Sequence, residues 1–147
     1  MKLIEKAYAF ARKQLELNWK EVPGKGSNPL IIEAYKSVDG LGNPEMIDDS
    51  EVPWCSCFAN YCVQQVGGKG TRSAWARSWL SWGKKSDGKV GDIVVLRRGT
   101  SASTGHVGFL VEKGTLYVKV LAGNQSNNVT IQSFPRIMVL GYRTSNV

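Results

Sequence analysis

The sequence is sparing with the residues that usually advertise a function. It has one histidine, three cysteines, and 12 acidic against 19 basic side chains in 147 residues. The cysteines crowd together at 55, 57 and 62 instead of spreading out to staple distant loops, so reduced thiols are expected and a disulfide framework is not. No run approaches the ~20 apolar residues of a membrane span, and stable membrane insertion is not expected. The opening MKLIEKAYAFARKQLELNWK carries Lys2, Glu5, Lys6, Arg12, Lys13 and Glu16, too many charges for the apolar stretch of a secretory signal. The expectation is a protein made in the cytoplasm without a signal peptide, which something else must release if its substrate lies outside. No repeat, low-complexity tract or linker divides the chain, so one domain over residues 1–147 is expected, working as a monomer.

What is present is globular. Hydrophobic residues make up 42% and charged residues 21%, and the length suffices to bury a core without staples. The net charge of +7 favours polyanionic partners: nucleic acid, an anionic membrane face or an anionic wall polymer.

Leu3, Ile4, Ala7, Tyr8, Ala11 and Leu15 recur at helical spacing and predict an amphipathic helix over 3–17. After the loop EVPGKGSNP, Ser27 or Asn28 can cap a second helix that begins with Pro29. A long irregular segment, DGLGNPEMIDDSEVP, precedes a mostly apolar helix over 54–66 that ends at Gly67-Gly68. Ser73 predicts a further helix, ARSWLSW, with Trp75, Trp79 and Trp82 roughly on one side and packing the core. Beyond Asp87-Gly88 the runs GDIVVLRR, HVGFLVEK, TLYVKVLA, NVTIQS and RIMVLGYR read as short strands. Helices first and strands second predict an α+β domain with an antiparallel sheet of about five strands.

The chemistry concentrates at Cys55. At about 100° per residue, Cys55 shares a face with Phe58, Ala59 and Cys62, whereas Cys57 lies about 200° away. Cys55 also falls in the first helical turn, just after Pro53, where unpaired backbone N–H groups and the helix dipole favour a thiolate. A backbone N–H there can serve as part of an oxyanion hole. Taken one at a time, buried cysteines read as small hydrophobes, and Cys57 and Cys62 stay with that reading. A nucleophilic cysteine needs a base, and His106 is the one imidazole available, flanked by Gly105 and Gly108 after the loop GTSASTG. The orienting residue for that imidazole is assigned to Asn124 in LAGNQSNN, with Gln125 close behind.

Five stretches carry a resemblance: VPWCSCFANYC, ARSWLSWG, GDIVVLRRG, GHVGF and LAGNQ. In order and spacing they are similar to the CHAP and NlpC-like superfamily of cysteine peptidases and amidases, in particular to compact phage endolysins and cell-wall hydrolases. The likeness runs nearly end to end, to the final GYR. It implies a papain-like fold, with Cys55 as nucleophile at a helix N-terminus, His106 as base and Asn124 as the polar orienting residue. It also implies bacterial peptidoglycan as substrate, cut at an amide bond either as an N-acetylmuramoyl-L-alanine amidase or as an endopeptidase. Many relatives place a glutamate two residues before the asparagine, and here that position is Ala122. No cofactor is expected, although a calcium ion, as in some relatives, would fall near Asp48, Asp49 and Glu51.

Three other readings compete. Cys55, Cys57, Cys62 and His106 total a zinc ligand set, but C-x-C-x₄-C is not a usual spacing and the first two diverge on a helix. Nucleic-acid binding suits the charge, yet the basic residues are scattered, as at Lys20 and Lys25, Lys84 and Lys85, and Arg97 and Arg98, so no nucleic-acid partner is expected. A non-catalytic wall-binding or virion protein would keep the fold without the activity.

Overall fold

The computed structural model describes all 147 residues. Its helices are α1 (Leu3–Gln14), α2 (Pro29–Tyr35) and α3 (Cys55–Gln65), with short 3-10 turns at Pro44–Met46, Ala76–Ser81 and Arg136–Met138. The strands are β1 (Lys84–Ser86), β2 (Ile93–Arg97), β3 (Gly105–Lys113), β4 (Tyr117–Gln125), β5 (Asn128–Pro135) and β6 (Val139–Thr144). They form one antiparallel sheet in the order β1-β6-β2-β3-β4-β5. The architecture is the expected papain-like α+β arrangement, with six strands in place of five. The additional strand, β1, is a short polar edge, Lys84-Lys85-Ser86, paired to β6. It has no apolar alternation to betray it, because nothing packs on its exposed lysines.

Local chemistry explains the helix boundaries. Asn28 caps α2 by accepting a hydrogen bond from the Leu30 N–H at 2.9 Å, and Pro29 occupies the first position. α1 stops at Gln14, three residues short of the periodic pattern. The Gln14 side chain turns inward and accepts from the Trp19 indole N–H at 3.2 Å, which ties down the chain beyond the helix.

α3 is the axis of the molecule. Phe58, Ala59 and Cys62 join the main core with Ala7 and Ala11 of α1, Ile31 and Ala34 of α2, and Val95, Val107, Phe109 and Leu121 of the sheet. β4 lies directly against the helix at Gly123, where an added Cβ would stand 2.7 Å from the Trp54 ring and 2.8 Å from Phe58 Cβ. Overpacking of that kind costs about 1–3 kcal/mol. The other face of the sheet is also apolar, with Val94, Leu96, Leu110, Val118, Val120 and Ala122 packed under Phe134, Met138 and Tyr142. That double coverage accounts for the unbroken apolar run IVVL in β2. No helix is long and apolar enough to cross a membrane.

The expected helix over ARSWLSW is a 3-10 turn, and this changes where its tryptophans go. At three residues per turn the three indoles do not line up as they would on an α-helix. Trp79 is buried and donates its indole N–H to Ser56 Oγ, whereas Trp75 is 71% exposed. The expectation that Trp75 packs the core is therefore corrected.

Candidate active site

Cys55 opens α3, and no side chain caps that helix end. Pro53-Trp54 stands where a Ser, Thr or Asp would otherwise occupy the first amides, so the N–H of Cys55 is left without a helical partner. Trp54 fixes the entry to the helix: its indole N–H donates to Glu21 Oε2 at 2.9 Å, and its ring stacks on Trp19 at 5.9 Å between centroids. The thiol is nearly buried, yet it borders a cleft of about 500 Å³.

His106 reaches the same place from the sheet. It occupies the second position of β3, on the face shared with Leu110, and its ring lies 5.5 Å from that of Phe134. Its Nε2 is hydrogen-bonded to Gln125 Oε1 at 2.9 Å. Gln125 is itself held, because its Nε2 donates to the carbonyls of Thr130 at 2.8 Å and Val120 at 3.2 Å. Those two carbonyls accept only, so the amide oxygen must face the imidazole, and His106 carries its proton on Nε2. In the neutral ring Nδ1 is then the acceptor nitrogen; it is buried and has no hydrogen-bond partner within the protein.

The electrostatics follow. Burial pushes the Cys55 thiol up, but the hydrogen bond and charge of His106, the Val107 N–H and the Arg98 charge together outweigh it, and the net shift is downward. Cys57 and Cys62 have no such company. Burial, with the neighbouring Cys55 charge, raises Cys57 to about 12, and burial holds Cys62 well above its ordinary value. All three thiols are free.

Asn124 was the expected orienting residue; the hydrogen bond to His106 is made by Gln125. The reason lies in the backbone. Asn124 has φ +60°, and the β4–β5 pairing shifts register between Ala122 and Gln125. The strand's alternation breaks there, so the residue after the asparagine faces the imidazole. Asn124 instead borders both the main cleft and a smaller adjoining one of about 200 Å³ that contains His106. The glutamate position of relatives, Ala122, is buried in the second apolar cluster.

Asp48, Asp49 and Glu51, the residues of the acidic loop, do not converge on one point. Asp49 is buried, with Oδ2 accepting the N–H groups of Asn28 at 2.8 Å and Val22 at 3.3 Å, so it ties two loops together. Asp48 caps its own turn, accepting from the Ser50 N–H and hydroxyl, and Glu51 is exposed. No three His, Cys, Asp or Glu side chains converge anywhere on a metal-sized point, which also disperses the four-member zinc set.

Comparisons with known proteins bear on the family and the fold. The model of the family described as CHAP domain matches residues 47–124, a span that contains Cys55, His106 and Asn124. Among solved structures, the crystal structure of the P60 domain of an antigen from M. avium subspecies paratuberculosis is similar in fold. It has a TM-score of 0.54 and 18% sequence identity over 99% of this chain and 95% of that one. No curated protein matches the sequence.

Proposed function

The chain belongs to the CHAP domain family, and from that membership and the cleft we propose that it is a peptidoglycan hydrolase cutting an amide bond through a cysteinyl acyl-enzyme. The observation that carries the reading is the pairing of a depressed Cys55 thiol at an open helix start with an imidazole whose tautomer Gln125 fixes. His106 Nδ1 takes the thiol proton, and the thiolate attacks the amide carbonyl. The negative oxygen that develops is met by the free N–H of Cys55 in the first turn of α3. His106 returns its proton to the departing amine, leaving a thioester, which water then hydrolyses with His106 again as base. The basic surface of the protein draws it to a wall bearing carboxylates. A phage lysin that acts on the host wall after its own release fits this description.

The test is a digest of purified peptidoglycan by wild type and by Cys55→Ala, with products identified by mass spectrometry. Wild type is expected to release peptides or free amines, and Cys55→Ala to lose at least about a thousandfold of that rate. Equal digestion by both would dispose of the mechanism. Binding without digestion by either protein would bring the wall-binding reading forward.

A further inference from the structure

Behind His106 lies a second void. The smaller pocket, of about 200 Å³, adjoins the main cleft but does not reach the thiol: Gln125, bonded to His106 Nε2, lines it, and Cys55 does not. The main cleft is the reverse, with Cys55 in its wall and neither His106 nor Gln125. A ligand in the smaller pocket therefore sits on the Nε2 side of the imidazole and leaves Nδ1 and the thiol uncovered. The reaction proposed above makes no use of that side.

The pocket has two chemical halves. Its base is apolar, made by Leu96, Phe134 and Met138, which belong to the second apolar cluster. Its rim is cationic. Arg97 and Arg98 line it, neither is ion-paired within the protein, and no acidic side chain borders the pocket. Each guanidinium is steadied by a neutral acceptor: Arg98 Nε donates to the Gly105 carbonyl at 3.2 Å, and Arg97 Nη1 to the Gly99 carbonyl at 2.7 Å. Both positive charges stay uncompensated, and Arg98 keeps its two terminal amino groups for a ligand. In the β4–β5 hairpin, Gln132 Nε2 donates to Ser126 Oγ at 2.8 Å, which leaves the Ser126 hydroxyl proton free to donate.

Those halves select the ligand. Unpaired guanidiniums call for an oxyanion, and the planar fork of an arginine matches a carboxylate. The apolar base calls for a short hydrocarbon stem on that carboxylate and offers nothing to inorganic phosphate. The volume is below the roughly 300 Å³ at which pockets for drug-sized ligands begin, so a chain end fits and a disaccharide does not. We propose that the smaller pocket is an accessory binding site for the carboxylate end of a peptide, gripped by Arg98 and resting its last side chain on Phe134 and Met138. The occupant and the amide at Cys55 are then bound together, on opposite sides of one imidazole. Under the hydrolase reading, that end belongs to a neighbouring stem peptide of the wall, which tethers the enzyme while the cleft stays open.

The test uses the intact protein, with N-acetylalanine as the probe and NMR as the readout. His106 is the single histidine, so its ring signals are free of overlap. They and the Ser126 N–H should shift on titration, with a Kd on the order of 1 mM, while the Trp75 indole in the main cleft is unmoved. N-acetylalaninamide, without the charge, and inorganic phosphate, without the stem, should each bind at least about tenfold more weakly. Arg98→Met, at an exposed position, should weaken N-acetylalanine about tenfold, with Arg98→Lys recovering part of the loss. Protein alkylated at Cys55 with iodoacetamide should bind within about twofold of the free protein, because the two sites are separate. A loss of about tenfold on alkylation would move the ligand into the main cleft and overturn the accessory site. Shifts at the Trp75 indole in place of His106, or His106 signals that never move, would do the same. Equal binding of the acid and its amide, or of the acid and phosphate, would overturn the peptide carboxylate as ligand. None of these readouts involves hydrolysis, so they succeed or fail apart from the Cys55→Ala digest.

Discussion

Three thiols stand on one eleven-residue helix, and burial acts on all of them in the same direction. Cys57 and Cys62, within the body of α3, are held protonated, whereas Cys55 in the first turn is shifted toward thiolate. Residue type and solvent exclusion are shared, so neither explains the difference. What differs is the company. Cys57 lies within the body of α3, where the Ser37 hydroxyl donates to its backbone carbonyl, and neither an imidazole nor a guanidinium offsets the burial of its sulfur. Cys55 has an open helix terminus, an imidazole, the Val107 N–H and a guanidinium nearby. Reactivity here belongs to a place in the fold and not to a residue in a motif.

The sharpest way to break this contrast is to remove the imidazole. In His106→Ala the burial of Cys55 is left largely unopposed, and the thiol should move up toward the behaviour of Cys57. Wall-hydrolysing activity should fall about a thousandfold, since base and proton donor are lost together. Alkylation of Cys55, followed by mass spectrometry across a pH series, provides the independent readout. Wild type should react with a midpoint below the ordinary thiol range, and His106→Ala with one above it. A midpoint that does not move would show that the helix terminus alone sets the thiolate.

That experiment also marks where the sequence was legible. Cys55 stood out because a proline and an apolar helix fixed its position in a first turn, and His106 because no second imidazole competed with it. The fold class was legible too, since the change from helical to strand periodicity near Asp87-Gly88 is a property of the residues themselves. Three things were not. β1 is a polar edge strand without alternation, so it looks like loop. Trp75 was grouped with Trp79 because an α-helical spacing was assumed where the chain winds as a 3-10 turn. Asn124 was preferred to Gln125 because no periodicity reveals a positive φ. Each miss occurs where a local backbone departure, settled by tertiary packing, decides which way one side chain points.

The second prediction tests that last departure. Gln125→Leu removes the acceptor that keeps the His106 proton on Nε2, and should lower kcat by about tenfold to a hundredfold. It also removes the amide's hydrogen bonds to the Val120 and Thr130 carbonyls, so some loss of stability, about 1–3 kcal/mol, should accompany it. The role beyond stability is read from the Cys55 alkylation profile, which should shift upward as the imidazole loses its fixed tautomer. Asn124→Gly keeps the positive φ without strain and leaves the Gln125 contact intact. Its effect should be under about tenfold and fall mainly on KM, because Asn124 borders the cleft. If Asn124→Gly proves the more damaging to kcat and to the alkylation profile, the orienting role passes back to the asparagine.

The smallest expected effect concerns the other end of the comparison, the thiol kept silent. Cys57 is raised from its ordinary value to about 12, with burial as the main cause and the neighbouring Cys55 charge as the second. A group whose folded pKa lies above its unfolded one contributes stability that is complete below the unfolded pKa and lost as pH rises toward the folded value. The window for Cys57 therefore opens near the ordinary thiol pKa of 9.0 and closes near 12. Between about pH 8 and about pH 10 the ionised thiol of the unfolded chain should lower folding stability by about 1 kcal/mol through this one residue. Cys62 and Tyr35, both raised mainly by burial, act in the same direction, so wild type should weaken by more than the single share. Urea unfolding of wild type and Cys57→Ala at the two pH values isolates the Cys57 share. The variant is expected to lose about 1 kcal/mol less than wild type over that interval, whatever its stability at the lower pH. An equal drop in both proteins would mean that Cys57 ionises as readily in the fold as out of it, and the two regions of α3 would then differ far less than their surroundings imply.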